Sequence, residues 1–135
     1  SKGAIVFIKH LFLNDQEYDR SIQGGVCTYV TEQAAREIYL KPFEIAVTEG
    51  KAMNCMAAYT RLGTKFCAGH KELLTDFLRG ECGMKGLVVS DMYKDRYKNE
   101  QLPLFLMAGC DLPDGDIASA NIYEKYSKNY SAVRE

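Results

Sequence analysis

Gly86-Leu87-Val88-Val89-Ser90-Asp91 is the stretch that decides the fold of this 135-residue chain. The run is short, apolar and rich in β-branched residues, and it follows a glycine, which is typical of a parallel strand buried on both faces. A carboxylate inside such a strand would have a large desolvation cost, whereas Asp91 at its end would face the crevice where α/β proteins bind ligands. Asp91 is therefore the first candidate for chemistry, although Ser90 and Asp91 are also good N-caps for a following helix.

Two further apolar runs end in polar side chains in the same way. Residues 4–8 lead into Lys9 and His10, and residues 52–59 lead into Thr60. Each run predicts a strand whose end presents polar groups. Because the carboxyl ends of parallel strands share one edge of a sheet, these side chains are expected to open onto a common pocket.

Helices are predicted between the strands. Thr31 can cap a helix over 32–39, and Pro42 is expected to kink or break it near Lys41, with a second helical piece over 43–48. Apolar side chains at one-face spacing predict another helix over 71–80. The remaining predictions are polar loops over 14–20, 62–69 and 93–101, a helix over 102–107, a short strand over 108–112 and a helix from residue 117 onward.

The alternation of strand and helix predicts an α/β fold of parallel βαβ units with right-handed crossovers. The four predicted units amount to about half of a (β/α)8 TIM-type barrel, and a complete barrel takes about 250 residues. The sheet is therefore expected to be either open and doubly wound or one part of a larger barrel.

Composition narrows the possible partners. The chain is 47% hydrophobic and 26% charged, with 17 basic and 18 acidic residues, which is an ordinary globular composition with a net charge of −1. Neither nucleic acid nor a membrane is predicted as a partner, since the charge is balanced and no apolar segment reaches the roughly 20 residues of a membrane span.

The five cysteines are odd in number and contain no C-x-x-C pair. This pattern fits neither a disulfide framework nor a zinc knuckle, so no metal site is predicted. Reduced thiols favour a cytoplasmic over a secreted location.

Five segments, in order and spacing, resemble the catalytic barrel of family 3 glycoside hydrolases, the β-glucosidase and β-xylosidase group. They are IKHLFLNDQEYDR, REIYLKPFEIAVTEGKA, MAAYTRLG, LLTDFLRGECGMKGLVVSD and AGCDLPDG, and together they cover nearly the whole chain. The resemblance implies that residues 1–135 form a single segment of this barrel domain. It further implies a retaining β-glycosidase that hydrolyses an oligosaccharide or β-glucoside and uses no cofactor.

The resemblance also implies roles for six residues. Asp91 would be the nucleophile, which attacks the anomeric carbon and forms a glycosyl-enzyme intermediate. The other five would bind substrate: Lys9 and His10 at sugar hydroxyls, Arg20 in the same subsite, Tyr59 beside the nucleophile, and Met56 as an apolar wall.

The chemistry of these residue types suits the implied roles. Positive charge at Lys9 and Arg20 would favour the ionised form of a nearby carboxylate, and the phenol of Tyr59 could donate a hydrogen bond to it. Considered one at a time, each has a plainer explanation, such as a solvated lysine or a packed tyrosine. Their convergence on one edge favours the functional interpretation.

Some segments depart from the family's pattern. Met92 stands where tryptophan is common, the residues after Tyr59 are Thr60-Arg61-Leu62-Gly63-Thr64 instead of an asparagine and a later Asn-Gly, and residues 92–101 are rich in charge and tyrosine. A catalytically degenerate, glycan-binding relative is therefore the alternative. A third hypothesis, an independent domain that binds a phosphorylated ligand, is disfavoured because Gly24-Gly25 does not open a helix.

The general acid/base is not expected within this chain. A retaining glycosidase needs a second carboxyl about 5 Å from the nucleophile, and family 3 usually supplies it from a later domain. Neither Glu17, Glu81 nor Asp111 is assigned to that role, so the isolated chain is expected to be inactive without the remaining barrel and the C-terminal domain. Four other polar residues are expected at the surface: His70, Asp95, Arg96 and Asp114.

Overall fold

A computed structural model describes residues 3–20, 26–91 and 102–113. The strands are β1 (Phe7–Leu11), β2 (Cys27–Thr28), β3 (Asn54–Ala57), β4 (Arg61–Leu62), β5 (Lys65–Phe66) and β6 (Val88–Ser90). The helical elements are α1 (Glu32–Ala34), a first π-helix (Ala35–Leu40), α2 (Lys41–Thr48), a 3₁₀ turn (Cys67–Gly69), a second π-helix (Glu72–Glu81) and α3 (Leu102–Ala108).

The main sheet is parallel, with strand order β1-β3-β6. On the far side of β6, Leu112 forms a single parallel bridge with Val89. The predicted short strand over 108–112 is therefore reduced to this bridge. The predicted α/β architecture of parallel strands joined by helices is confirmed.

The first strand lies further along the chain than predicted and contains a bulge. It spans Phe7–Leu11 instead of residues 4–8, so Lys9 and His10 lie within it and not after it. Ile8 pairs with Cys55 and Leu11 pairs with Ala57, so two residues of β1 stand opposite the single residue between those partners on β3. Such a bulge changes where side chains point, and bulges are common beside active sites.

The chain does not break at Pro42, because helical backbone continues from Glu32 to Thr48, but π-helical turns give way to a separate α-helical piece at Lys41. The helix begins as predicted, since the Thr31 hydroxyl accepts a hydrogen bond from the Ala34 N–H at 3.2 Å. Pro42 lies in the first turn of α2, directly after the wider π-helical turns. Its missing N–H is tolerated there, and the helix is not interrupted.

The predicted loop over 62–69 contains a small hairpin instead. Strands β4 and β5 pair antiparallel, and β4 also pairs parallel with β2. Gly63 lies in the two-residue turn with a φ of 59°, a conformation that glycine adopts without steric cost. This hairpin directly follows Tyr59 and Thr60, so it sits next to the end of β3.

The core lies between one face of the main sheet and the helices. Along β3, Cys55 and Ala57 are buried whereas Asn54 and Met56 are half-buried, so successive side chains alternate between the core and the opposite face. The second π-helix buries the apolar face predicted for 71–80. The largest side chains with almost no exposure are Phe12, Phe105, Leu11, Leu74, Leu78 and Val88.

Two of the predicted elements lie outside the described residues. They are the loop over 93–101 and the helix from residue 117 onward. Among the described residues, no helix combines the length and apolar character needed to cross a membrane.

Candidate active site

The ends of the three main strands meet at one edge of the sheet. Asp91 directly follows β6, and its backbone N–H donates to the carbonyl of Ala57 at 3.1 Å. The N–H of Ala58 donates to the carbonyl of Leu11, which ties the end of β3 to the end of β1. The predicted convergence of strand ends is therefore present, and Tyr59 lies two residues beyond β3 at the same edge.

His10 and Asp91 are in direct contact. The Nε2 atom of His10 lies 3.4 Å from the Oδ2 atom of Asp91, which is only 9% exposed. Burial lowers the pKa of His10, and the charges of Lys9 and Arg20 act in the same direction, whereas Asp91 opposes them. A mostly neutral imidazole therefore faces a nearly buried carboxyl group at neutral pH.

Arg20 reaches back from the loop after β1 and lies over Tyr59. Its guanidinium carbon is 5.2 Å from the centre of the Tyr59 ring, a cation–π distance. Its Nε atom is 2.6 Å from Glu17 Oε2, so the positive charge is paired on one side. These two contacts hold the guanidinium at the edge where His10 and Asp91 lie.

Asn14 connects the His10–Asp91 pair with the Arg20–Glu17 pair. It was not among the predicted site residues. Its Nδ2 atom lies 3.5 Å from Nδ1 of His10 and 3.2 Å from Glu17, and its Oδ1 atom accepts from Arg20 at 3.4 Å. The available signal was its position in the polar segment 14–20, four residues after His10. Loop composition alone does not reveal which polar side chain turns inward.

Lys9 and Met56 take less direct positions. Lys9 is exposed, and its charge acts on His10 over a longer range. Met56 is half-buried and pairs with Val89, on the face of the sheet opposite the core. Since side chains alternate along a strand, Asp91 continues on the same face as Val89. Met56 therefore shares a face with Asp91.

The sequence pattern described as the Glycosyl hydrolase family 3 N terminal domain matches residues 3–123. The chain belongs to this family. Beta-glucosidase B of Emericella nidulans is 46% identical to it over 89 residues, which is 66% of this chain and 10% of that protein. Probable beta-glucosidase I of the same organism is 41% identical over 92 residues, covering 68% of this chain and 11% of the relative.

Solved structures match the family 3 chain over most of its length. Beta-glucosidase 3B from Thermotoga neapolitana, in complex with glycerol, has a TM-score of 0.76 and 34% identity, covering 94% of this chain and 18% of that one. The Bifidobacterium adolescentis GH3 beta-glucosidase has a TM-score of 0.73 and 31% identity, and the match covers 90% of this chain and 17% of that one. The fold is confirmed as that of part of the family's N-terminal barrel domain. The chain spans about a tenth of the length of the curated relatives it matches, from 10% to 11% for the two named.

The three carboxylates not assigned as acid/base are all ion-paired in this family 3 chain. Glu17 pairs with Arg20, while Glu81 pairs with Arg36 at 2.7 Å and Asp111 pairs with Arg79 at 2.6 Å. The hydrogen bond from Arg36 lowers the pKa of Glu81. Within the described residues, no group of three or more histidine, cysteine, aspartate or glutamate side chains could hold a metal ion.

The expectation that His70 lies at the surface is wrong. Its side chain is 13% exposed, and its Nδ1 atom lies 2.9 Å from Oε2 of Glu72. Burial lowers the pKa of His70, and it outweighs the opposing effect of Glu72. The histidine lies between the 3₁₀ turn and the second π-helix, two residues before Glu72. Asp95, Arg96 and Asp114 lie outside the described residues, as does Met92.

The first two residues after Tyr59 pack against other parts of the chain. The buried Thr60 hydroxyl donates to the carbonyl of Phe12 at 2.9 Å. The guanidinium carbon of Arg61 lies 3.9 Å from the centre of the Phe66 ring. These contacts tie the β4–β5 hairpin to the end of β1.

Proposed function

We propose that this chain supplies the nucleophile-bearing part of a retaining β-glycosidase that hydrolyses β-glucosides. The observation on which the proposal mainly rests is the nearly buried Asp91 carboxyl at the carboxyl edge of the sheet, 3.4 Å from His10. Membership of glycosyl hydrolase family 3 and the beta-glucosidase names of its relatives support the reaction class.

In the proposed reaction, one oxygen of Asp91 attacks the anomeric carbon of the sugar. The bond to the leaving-group oxygen breaks, and a carboxylic acid from outside this chain protonates that oxygen. Water then attacks the glycosyl-enzyme ester and gives its proton to the same external group. The product sugar leaves, and the Asp91 carboxylate is regenerated.

The proposed substrate-binding residues surround this carboxylate. The Nε2–H of His10 and the ammonium group of Lys9 would donate hydrogen bonds to sugar hydroxyls. Arg20, held by Glu17 and by the Tyr59 ring, would donate from the other side. Met56 would offer an apolar surface to the sugar ring on the face shared with Asp91.

The proposed active unit is larger than the chain. Residues 1–135 form a single segment of the barrel domain, and the remaining barrel and a C-terminal domain supply the other strands and the acid/base. The small share of each relative that the chain covers supports this proposal. On this basis the isolated chain does not turn over substrate.

A mechanism-based fluoroglucoside tests the assignment in the full-length protein that contains this chain. The inhibitor should form a stable ester on Asp91, located by peptide mass spectrometry, because its fluorine slows both steps while its good leaving group keeps the first step faster than the second. Asp91→Asn should abolish labelling. Asp76→Asn is the matched control, since Asp76 is an exposed carboxylate that pairs with Lys71, and it should label normally.

Two outcomes contradict the proposal. Labelling of a residue other than Asp91 would overturn the nucleophile assignment. Binding of glucosides without labelling or hydrolysis would instead favour the catalytically degenerate relative.

A further inference from the structure

Asn14 is surrounded by groups whose hydrogen-bonding character is fixed by their chemistry. Arg20 has only donors, and an ionised Glu17 has only acceptors. Arg20 Nη1 lies 3.4 Å from one end of the Asn14 amide, and Glu17 Oε1 lies 3.2 Å from the other end. The amide can satisfy both only with its oxygen toward Arg20 and its NH₂ toward Glu17. Two independent neighbours therefore fix the orientation of the amide.

The same NH₂ group faces His10. It lies 3.5 Å from the Nδ1 atom of the imidazole ring. Because the amide nitrogen is a donor, the favourable partner is an Nδ1 atom without a proton. The single proton of a neutral imidazole then resides on Nε2, which is the atom that lies 3.4 Å from Asp91.

We propose that Asn14 is a positioning residue that sets the tautomer of His10, keeping its proton on Nε2 and directed at Asp91. In the opposite tautomer, an Nδ1–H would face the NH₂ of Asn14, and the Nε2 lone pair would face the Asp91 carboxylate. Both contacts would then be repulsive. The proposed tautomer makes both attractive.

A doubly protonated His10 is disfavoured by the same contact. The imidazolium ring would direct its Nδ1–H at the Asn14 NH₂, which is unfavourable, so only its contact with Asp91 would be strengthened. The other charged groups acting on His10 are Lys9, Arg20 and Glu17, two of them positive and one negative. Burial also lowers the pKa of His10, in agreement with a neutral ring.

The catalytic role of the His10 tautomer rests on the proposed function, whereas the assignment of the tautomer itself does not. With the proton on Nε2, His10 offers a donor at the point where Asp91 and a sugar hydroxyl would meet. In the resting site that donor holds one carboxylate oxygen in place. Asn14 would thus act on Asp91 through His10, and its contact with Arg20 fixes the orientation of its own amide.

Nitrogen-15 NMR of the full chain measures the proton position directly. The chain has two histidines, so the ring signals of His10 are assigned by comparison with a His70→Gln sample. In the wild-type chain at pH 7.5, Nδ1 of His10 should give a pyridine-type shift and Nε2 a pyrrole-type shift. The reverse assignment would overturn the proposal, whether or not any variant folds.

Asn14→Asp is the decisive variant. A carboxylate at this position can only accept, so it should pull a proton onto Nδ1, and the ratio of protonated to bare Nδ1 should rise by at least about tenfold. Gln16→Asp adds the same charge at an exposed position of the same loop and should leave His10 unchanged. A folded Asn14→Asp chain that keeps a bare Nδ1 would refute the inference.

Activity of the full-length protein separates the two proposals. If Asn14 acts through His10, Asn14→Leu should lower kcat for glucoside hydrolysis and alter its pH profile, while Gln16→Asp changes neither. A normal tautomer shift together with no label on Asp91 would refute the proposed function and leave the role of Asn14 intact. Labelled Asp91 with the wrong tautomer would do the opposite.

Discussion

Gly86→Ala should destabilise the chain severely, because Gly86 lies tightly against the backbone of Met53, directly before β3, and the side chain of Asn54. A methyl group at this position would lie 2.1 Å from the carbonyl oxygen of Met53 and 2.5 Å from Oδ1 of Asn54. That Asn54 oxygen accepts from the N–H of Leu87 at 2.9 Å, and the Cys55 N–H donates to the Leu87 carbonyl at 3.0 Å. The methyl group therefore cannot enter without separating β3 from β6.

The expected loss is at the upper end of the range for overpacking. Such substitutions usually cost about 1–3 kcal/mol, and the carbonyl of Met53 cannot rotate away as a flexible side chain could, so we expect about 3 kcal/mol. With a urea m value of about 2 kcal/mol per molar, the unfolding midpoint should fall by about 1.5 M. Far-UV circular dichroism in a urea titration measures this midpoint.

Gly80→Ala provides the matched control, because it should raise the free energy of unfolding instead of lowering it. Gly80 is exposed near the end of the second π-helix, and an added methyl group would meet only the carbonyl oxygen of Thr75, at 3.4 Å. Replacing glycine by alanine in a helix gains about 0.5–1 kcal/mol. The reasoning about Gly86 fails if its variant unfolds within about 0.3 M urea of the wild type.

Three further predictions concern pH, thiols and an ion pair. Burial lowers the native pKa of His70 below its ordinary value of 6.5, so the unfolded chain binds this proton more readily. The stabilising contribution of His70 should be full above pH 6.5 and fall as the pH drops through the lower native pKa. In thermal melts, the melting temperature of His70→Gln should therefore fall less on acidification than that of the wild type. Cys27 is exposed, whereas burial raises the pKa of both Cys55 and Cys110 to about 12. A thiol reagent should thus modify Cys27 in the native chain and the buried cysteines only after unfolding, and rapid native reaction of a buried thiol would contradict the packing. Asp111→Ala removes the carboxylate that accepts hydrogen bonds from the Val88 N–H and from Arg79. Because the site is partly exposed, the free energy of unfolding should fall by about 1–2 kcal/mol in a urea titration. An unchanged unfolding midpoint would show that the carboxylate contributes nothing to stability.

The parallel sheet could be predicted from sequence because its strands lie within short apolar runs. Val88–Ser90 lies within the run over 86–91, and Asn54–Ala57 lies within the run over 52–59. Such runs are distinctive regardless of their partners. The polar residues that follow these runs could likewise be assigned to one edge of the sheet.

Local rules failed where distant residues decide the outcome. The bulge at Lys9 and His10 depends on the register between β1 and β3, which are separated by more than forty positions in the sequence. Pro42 was expected to kink or break its helix, but the helical backbone continues through it, because the π-helical turns before it leave proline in the first turn of α2. Neither feature has a signal in its own segment.

The same limit explains why Asn14 was missed. It shares a polar segment with Asp15, Gln16 and Glu17, all of which are exposed, whereas Asn14 is half-buried. Its inward orientation follows from its contacts with His10 and Arg20, and these contacts exist only once β1 and the following loop have folded. Composition cannot distinguish one polar loop residue from its neighbours.

The hydrogen bonds of the sheet set the position of Asp91, whereas the Asn14 side chain sets the position of the His10 proton that faces it. The position of the carboxylate and the position of the proton can therefore be perturbed separately. The backbone of β6 is held on one side by the bond from Asp91 N–H to Ala57 and on the other by the bond from Ser90 N–H to Leu112. A change in register, such as Gly86→Ala would cause, must therefore move the carboxylate and lower stability together. A change at Asn14 leaves those backbone bonds in place and acts on the side chains that Asn14 contacts, which are His10, Arg20 and Glu17. Loss of Asp91 labelling together with a shifted His10 tautomer in a stable Asn14 variant would therefore point to the imidazole proton, whereas loss of labelling in Gly86→Ala would point to the position of the carboxylate.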